Sequence, residues 1–197
     1  MTSKVALCNQ ACTKIGAARI ISMDDASKQA KALNAIFDVK RDAELSAHPW
    51  TFATGRASLP ASATAPDYGW SAAYPLPSDF LTLVEVGENY VMYQDPRSFD
   101  IENTVDGLAI LCNEASPLRI RYVKRIEVPG LFHPLFVEAL ACRLAAEIAE
   151  DVTQSTSKRE LAWKEYGEAI RLAKRTNAIQ RPPQPIPDAG WWLAREG

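Results

Sequence analysis

The sequence has few of the residues from which most metal and catalytic sites are built. Its 197 residues include two histidines, His48 and His133, and each directly precedes a proline. Neither has acidic or sulfur ligands around it at a metal-binding spacing, so we expect both to pack or cap at helix boundaries. Phosphate-loop, dinucleotide-binding, nucleophile-elbow and zinc-protease motifs are absent from the sequence. We therefore expect no catalytic residue, no metal site and no cofactor.

Long hydrophobic runs are also lacking. None approaches the roughly 20 apolar residues that a membrane span needs, and polar residues interrupt the first 16 positions, unlike a signal peptide. We therefore expect synthesis in the cytoplasm and no membrane span. In that compartment the four cysteines should be reduced, buried thiols. Cys8 and Cys12 share a helical face, but two thiols without a second pair of ligands are a weak indication of a zinc site.

An excess of charge of one sign is missing as well. With 22 basic and 24 acidic side chains the net charge is −2, whereas proteins that coat DNA or bind membrane surfaces are usually distinctly basic. The imbalance is local: residues 51–128 carry a net −4, residues 1–50 carry +2, and residues 129–197 are neutral. The middle of the chain is therefore its acidic part.

The first 50 residues have the periodicity of two helices. Apolar side chains recur at helical spacing over residues 3–16, and Gly16 is typical of a helix end. A second helix is predicted over about 25–47, with Ser22 or Asp24 as its cap. Pro49 should end it, because the residue before a proline avoids helical dihedral angles.

Helical periodicity returns after Pro129. The first of two further helices is rich in alanine, which allows neighbouring helices to approach closely, and the second begins at Ser155 or Ser157. Charged residues occupy most of one side of this last helix, which we interpret as a solvated face.

Residues 51–128 are rich in proline and contain short β-branched segments. They predict a small antiparallel β-meander of four to six strands. One turn is expected at Gly87–Asn89, with a strand returning at Tyr90–Tyr93. A second hairpin is expected at Asp106–Gly107, because this pair is a strong two-residue turn signal.

The last segment, Gln180–Gly197, cannot continue a helix, because four of six consecutive residues are prolines. An extended arm that ends in large apolar side chains either folds back on its own core or inserts into another chain. We favour the second interpretation, in which the partner-binding residues are Pro182, Pro183, Pro185, Pro187, Trp191, Trp192 and Leu193.

These elements together predict an α+β fold that is mainly a bundle of about four helices. The bundle is discontinuous in sequence, comprising residues 1–50 and 129–178. A small antiparallel β domain is inserted at 51–128, and the extended arm occupies 179–197.

Seven sequence stretches resemble the tail tubular protein A family, the head-to-tail adaptors of tailed phages. The resemblance covers about residues 4–176, and none of the stretches is a catalytic signature. The stretches are ALCNQACTKIG at 6–16, AIFDVKRDAEL at 35–45, HPWTFA at 48–53, RASL at 56–59, YPLPSDFL at 74–81, IRYV at 120–123 and LACRLAAEIA at 140–149.

The resemblance implies a structural virion protein of the phage neck. Such adaptors form a homo-oligomeric ring, usually of twelve copies, beneath the portal protein. They extend the DNA channel without binding the genome specifically. A tail tube or nozzle protein, with or without tail fibres, docks below, and the C-terminal segment often reaches up to the portal. By analogy, the arm at 180–197 is expected to dock on the portal.

The acidic middle of the chain suits a channel or rim that must not hold DNA, because every cation that binds phosphate adds to retention. We therefore expect carboxylates of the β domain to face the channel or the tail-proximal rim. The candidates are Glu85, Glu88, Asp95, Asp100 and Glu102.

Three other classes of protein remain open. A tail-completion or tail-terminator protein also forms a ring, but on the tail side, and the order helices–β–helices favours the adaptor over it. An enzyme or regulator would carry a small-molecule pocket inside the β-meander. A nucleic-acid-binding regulator is disfavoured by the acidic balance.

Overall fold

A computed structural model describes residues 2–87 and 99–180, and its fold is α+β, as predicted. The described part contains four helices and six strands. The helices are α1 (Lys4–Lys14), α2 (Lys28–Ser46), α3 (Pro134–Thr153) and α4 (Thr156–Ile179). The strands are β1 (Thr54–Leu59), β2 (Ala72–Pro75), β3 (Phe80–Val86), β4 (Phe99–Thr104), β5 (Gly107–Cys112) and β6 (Leu118–Lys124).

The ends of the first two helices follow from local capping. Gly16 adopts a φ of +67° after α1, which confirms it as the helix stop. Helix α2 begins later than predicted, because its cap is Ser27, whose hydroxyl accepts the Ala30 N–H. Asp25 instead accepts the backbone N–H groups of Ile21 and Ser22, so it closes a turn ahead of the helix.

Helix α3 is the centre of the helical part, since α1, α2 and α4 all pack against it. Its alanines are fully buried, and their small side chains let the neighbouring backbones come close. The apolar face of α3 is buried, and its side chains belong to one large cluster with those of α1 and α2. Ser155 caps α4, as the sequence indicated.

The β part is two three-stranded antiparallel sheets, and the predicted meander is wrong in its topology. The strand orders are β1–β6–β3 and β2–β5–β4. The first and last strands pair directly, from Thr54 opposite Val123 to Leu59 opposite Leu118. This pairing has a simple cause: the chain leaves the helices after α2 and must return to α3, so both ends of the insertion lie side by side.

The predicted hairpin between β4 and β5 is confirmed, with its turn one residue earlier than expected. Thr104 pairs with Gly107, so Val105 and Asp106 form the turn, and Gly107 has a φ of +97°. Gly87 also has a positive φ, +78°, directly after β3. The strand predicted at 90–93 lies outside the described residues.

The molecule therefore has three layers. Side chains from both sheets form a second buried cluster between them, which includes Tyr74, Ile110 and Tyr122. Val123 and the half-buried Leu81, on the first sheet, belong instead to the helical core or pack against it. The order is helices, first sheet, second sheet. In the described part of the chain, no helix is long and apolar enough to cross a membrane.

The close packing of α3 gives a first testable consequence. Ala145→Leu should lower the free energy of unfolding by about 1–3 kcal/mol, because a larger side chain at a fully buried site forces its neighbours apart. Urea denaturation followed by circular dichroism measures this change. Ala35→Leu, at an exposed position of α2, is the matched control and should leave stability nearly unchanged. Equal effects at the two sites would contradict the packing argument.

Candidate interaction surfaces

The segment at 48–53 is the joint between the helices and the sheets. Trp50 is 1% exposed, and its indole N–H donates to the Glu44 carbonyl oxygen at 2.9 Å. Its ring meets Phe136 of α3 edge-on, with centroids 5.0 Å apart, and lies 6.0 Å from Phe52. A satisfied indole N–H and aromatic neighbours on two elements fix the direction in which the chain leaves α2.

The end of α4 is tied to the same joint by Asn177, which is 7% exposed. Its side-chain oxygen accepts the Thr51 N–H at 2.8 Å, and its amide nitrogen donates to the Pro49 carbonyl and lies 2.9 Å from His48 Nε2. One residue beyond α4, the Gln180 side-chain oxygen accepts the Thr51 hydroxyl. Gln180, the last described residue, is therefore held at the joint.

The arm residues named from the sequence, from Pro182 to Leu193, lie outside the described residues. Gln180, which precedes them in the sequence, lies beside the start of the β part.

The two histidines occupy helix boundaries, as predicted. His133 precedes α3, and its Nδ1 accepts the Leu135 N–H at 3.2 Å. His48 follows α2, and its ring meets Trp50 edge-on with centroids 4.8 Å apart. Both therefore have structural contacts that account for their positions.

A charged network joins α2, α3 and α4, and sequence reasoning missed it. Glu147 of α3 accepts Lys40 Nζ at 2.6 Å and Arg143 Nε at 3.0 Å. The same Arg143 lies 3.7 Å from Glu44 of α2, which also accepts the Tyr166 hydroxyl of α4 at 2.6 Å. The sequence did carry a sign of this network: charged residues lie within the stretches 35–45 and 140–149, which form packed helices. Charged side chains on packed helices require partners.

The network changes the acidity of its members. Burial raises the pKa of Tyr166 to about 12, helped by its hydrogen bond to the Glu44 carboxylate, so the phenol stays protonated and donates. Burial alone would raise the pKa of Glu147, but Lys40 and Arg143 together outweigh it and hold that pKa below its usual value. Glu147 therefore remains ionised and paired at neutral pH.

The acidic residues named from the sequence divide into three groups. Glu85 does not fit a free channel-facing carboxylate, because it pairs with Arg121 at 2.8 Å and its side chain is 17% exposed. Asp100 and Glu102 are exposed on β4, and being two residues apart they share one face of the strand. Asp100 accepts the Trp70 indole N–H at 2.9 Å. Glu88 and Asp95 lie outside the described residues.

All four cysteines are free and buried, as expected of structural thiols. Burial raises the pKa of Cys8 to about 12, and it raises the pKa values of Cys12, Cys112 and Cys142 as well. These thiols therefore stay protonated at neutral pH, and a protonated thiol is a poor nucleophile and a poor metal ligand. Over residues 2–87 and 99–180, no three histidine, cysteine or acidic side chains group as metal ligands would.

Comparisons with known proteins leave the family open. No protein-family model matches the chain, and a search of curated proteins found no significant match.

The network leads to a prediction about acid stability. A carboxylate whose pKa is depressed on folding adds stability above its unfolded pKa, and that contribution is lost as pH falls through the folded value. Glu147→Gln should therefore lower the free energy of unfolding at pH 7 by about 1–3 kcal/mol, and the deficit should shrink at acidic pH, where Glu147 becomes protonated.

Urea denaturation at several pH values between neutral and acidic measures this difference. Glu160→Gln removes an exposed carboxylate of α4 and serves as the control for general loss of negative charge. A deficit for Glu147→Gln that stays constant over the whole pH range would contradict the assignment.

Proposed function

We propose that this protein is a head-to-tail adaptor of a tailed phage. In this role it forms a ring, of about twelve copies by the resemblance to tail tubular protein A, beneath the portal protein. The ring extends the DNA channel and provides the docking surface for a tail tube or nozzle protein. The protein is a structural component of the virion neck, synthesised in the host cytoplasm.

The observation that carries this proposal is what the family-like stretches do in the fold. The stretch at 48–53 forms the joint, with Trp50 buried in it. The stretches at 35–45 and 140–149 supply Lys40, Arg143 and Glu147 to the network that clamps three helices together. The residues that carry the resemblance thus build the framework of helices and joint. This is expected for an assembly protein, which acts through its binding surfaces and not through an active site.

The place where the arm departs supports the proposed portal contact. A helix that ended freely would fray at its last turn, but Asn177 and Gln180 hold the end of α4 against the joint. Because its attachment point is held against the joint, an arm that binds the portal would be firmly connected to the rest of the subunit. Interface tryptophans are frequent anchors of such contacts, which is the role proposed for Trp191 and Trp192.

The exposed carboxylates on β4 support the proposed DNA channel. Asp100 and Glu102 lie on one face of β4, an edge strand of the second sheet. Carboxylates at a channel wall repel the phosphates of passing DNA and so reduce its retention.

Co-sedimentation with the portal protein from the same genome tests the proposal. The full chain should pellet with the portal as a stacked ring visible by electron microscopy. A chain lacking residues 181–197 should keep its melting temperature, because Gln180 and the joint remain, but should lose this association. Trp191→Ala combined with Trp192→Ala should weaken it by several kcal/mol, as interface aromatics commonly do.

The alternative arrangement, a ring on the tail side, gives a different result in the same experiment. If the chain does not bind the portal at any salt concentration but assembles on tail tubes, the tail-side ring replaces the adaptor as the proposed function. A truncated chain that melts earlier than the full chain would show that the arm covers its own core.

A further prediction concerns the passage of DNA through the proposed channel. Asp100→Asn with Glu102→Gln should slow genome ejection from assembled particles, because two repulsive charges are removed from the proposed channel wall. Time-resolved ejection measured with a DNA-binding dye reports the rate. Glu114→Gln with Glu127→Gln removes two exposed carboxylates elsewhere in the β part and is the matched control. Ejection slowed equally in both variants would reflect net charge and contradict the proposed location.

A further inference from the structure

The outward side of α4, which its charged residues predict to be solvated, also carries an apolar stripe. Leu161, Leu172 and Ile179 are 57%, 51% and 75% exposed. Ile179 follows Leu161 by 18 residues, which is five complete helical turns, and Leu172 lies within about 20° of the same line. The three side chains therefore form one row about 27 Å long.

Three charged residues complete this row. Together the six positions follow one another at alternating spacings of four and three residues, which is the spacing of a coiled-coil seam. In chain order they are Leu161, Glu165, Glu168, Leu172, Arg175 and Ile179.

The charged positions of the seam are accessible. The Glu165 side chain is 42% exposed, and its weak contact to Lys14 is 3.8 Å long. Glu168 and Arg175 are exposed. Arg175 forms no ion pair with any residue in the described ranges 2–87 and 99–180.

We propose that α4 is a self-association surface, which binds the α4 of a second copy of this chain in antiparallel orientation. In an antiparallel pair centred near residue 170, each seam position faces one from the opposite half of the other helix. The acidic first half then meets the basic second half. The layers, each occurring twice, are Leu161 with Ile179, Glu165 with Arg175, and Glu168 with Leu172.

Charge decides the orientation. A parallel pair in register would place Glu165, Glu168 and Arg175 each against its own copy, giving three layers of like charge. The antiparallel pair has no layer of like charge. It places apolar residues against each other at both ends and makes two ion pairs. The charges of the seam are thus complementary to those of a second, antiparallel copy of the same helix. For this reason we take a second copy of the chain as the partner.

This surface goes beyond the proposed function and is independent of it. A twofold contact of this kind closes on itself in a dimer and cannot by itself generate a ring, which needs head-to-tail contacts through other faces. The antiparallel pair is therefore a form of the free protein. A failure of portal binding would leave it untouched, and its own failure would leave the adaptor proposal untouched.

Sedimentation equilibrium of the full chain, from micromolar to millimolar concentration, tests the proposal. The expected species is a dimer, with twice the 21.7 kDa mass of one chain. Glu165→Arg alone and Arg175→Glu alone should each raise the dimer Kd about tenfold or more, since each turns two attractive layers repulsive. An equimolar mixture of the two variants should pair again, because both charged layers are then attractive in the mixed dimer.

The control variants are Glu160→Arg and Lys174→Glu, which make the same charge reversals one residue away from the seam and should leave Kd unchanged. Melting curves establish that all variants are folded. A wild-type chain that stays monomeric at millimolar concentration overturns the proposal. So do controls that weaken association as much as the seam variants, or a mixture that remains monomeric.

Discussion

The burial of α3 is the constraint on which the rest of the structure depends. Three helices pack on it, and two of them precede the β insertion in sequence whereas the third follows it. The insertion must therefore return the chain close to where it left. The direct pairing of β1 with β6 achieves this return, and the Trp50 joint fixes the point of departure. The alanines of α3 set how near the surrounding helices can come.

The charged network adds specificity to this apolar packing. Glu44 is buried and Glu147 is half-buried, so leaving their carboxylates without partners would be costly. Their cations and the Tyr166 hydroxyl offset that cost only in one arrangement of the three helices. Apolar burial is non-directional, whereas a buried carboxylate that loses its hydrogen bonds is heavily penalised. We infer that the network fixes the register of α2 against α3 and α4.

Features that depend on local sequence could be predicted, and those that depend on tertiary contacts could not. Helical periodicity, the positive φ of Gly16 and the cap at Ser155 are properties of a few neighbouring residues, and the structure has all three. The start of α2 was misplaced because Ser22, Asp24 and Ser27 are all competent caps. The β1–β6 pair joins residues 59 to 69 positions apart in the sequence, and strand patterns do not report such distant pairings.

The candidate surfaces show the same division. Asp100 and Glu102 are exposed, whereas Glu85 pairs with Arg121, and that pairing could be known only from the strand register. The apolar stripe of α4 was hidden in the sequence because charged residues dominate that side, and three aliphatic side chains 7 or 11 positions apart give little local signal.

The pairing of β1 with β6 has a consequence for how the molecule can change over evolutionary time. Because the two ends of the insertion are adjacent, the second sheet lies beyond this ladder, on the far side of the first sheet from the helical core. Exposed loops of the second sheet can therefore lengthen or shrink with little effect on the packing of the helices. The helices and the first sheet thus form the framework of the molecule, and the second sheet is the part in which changes of sequence cost folding least.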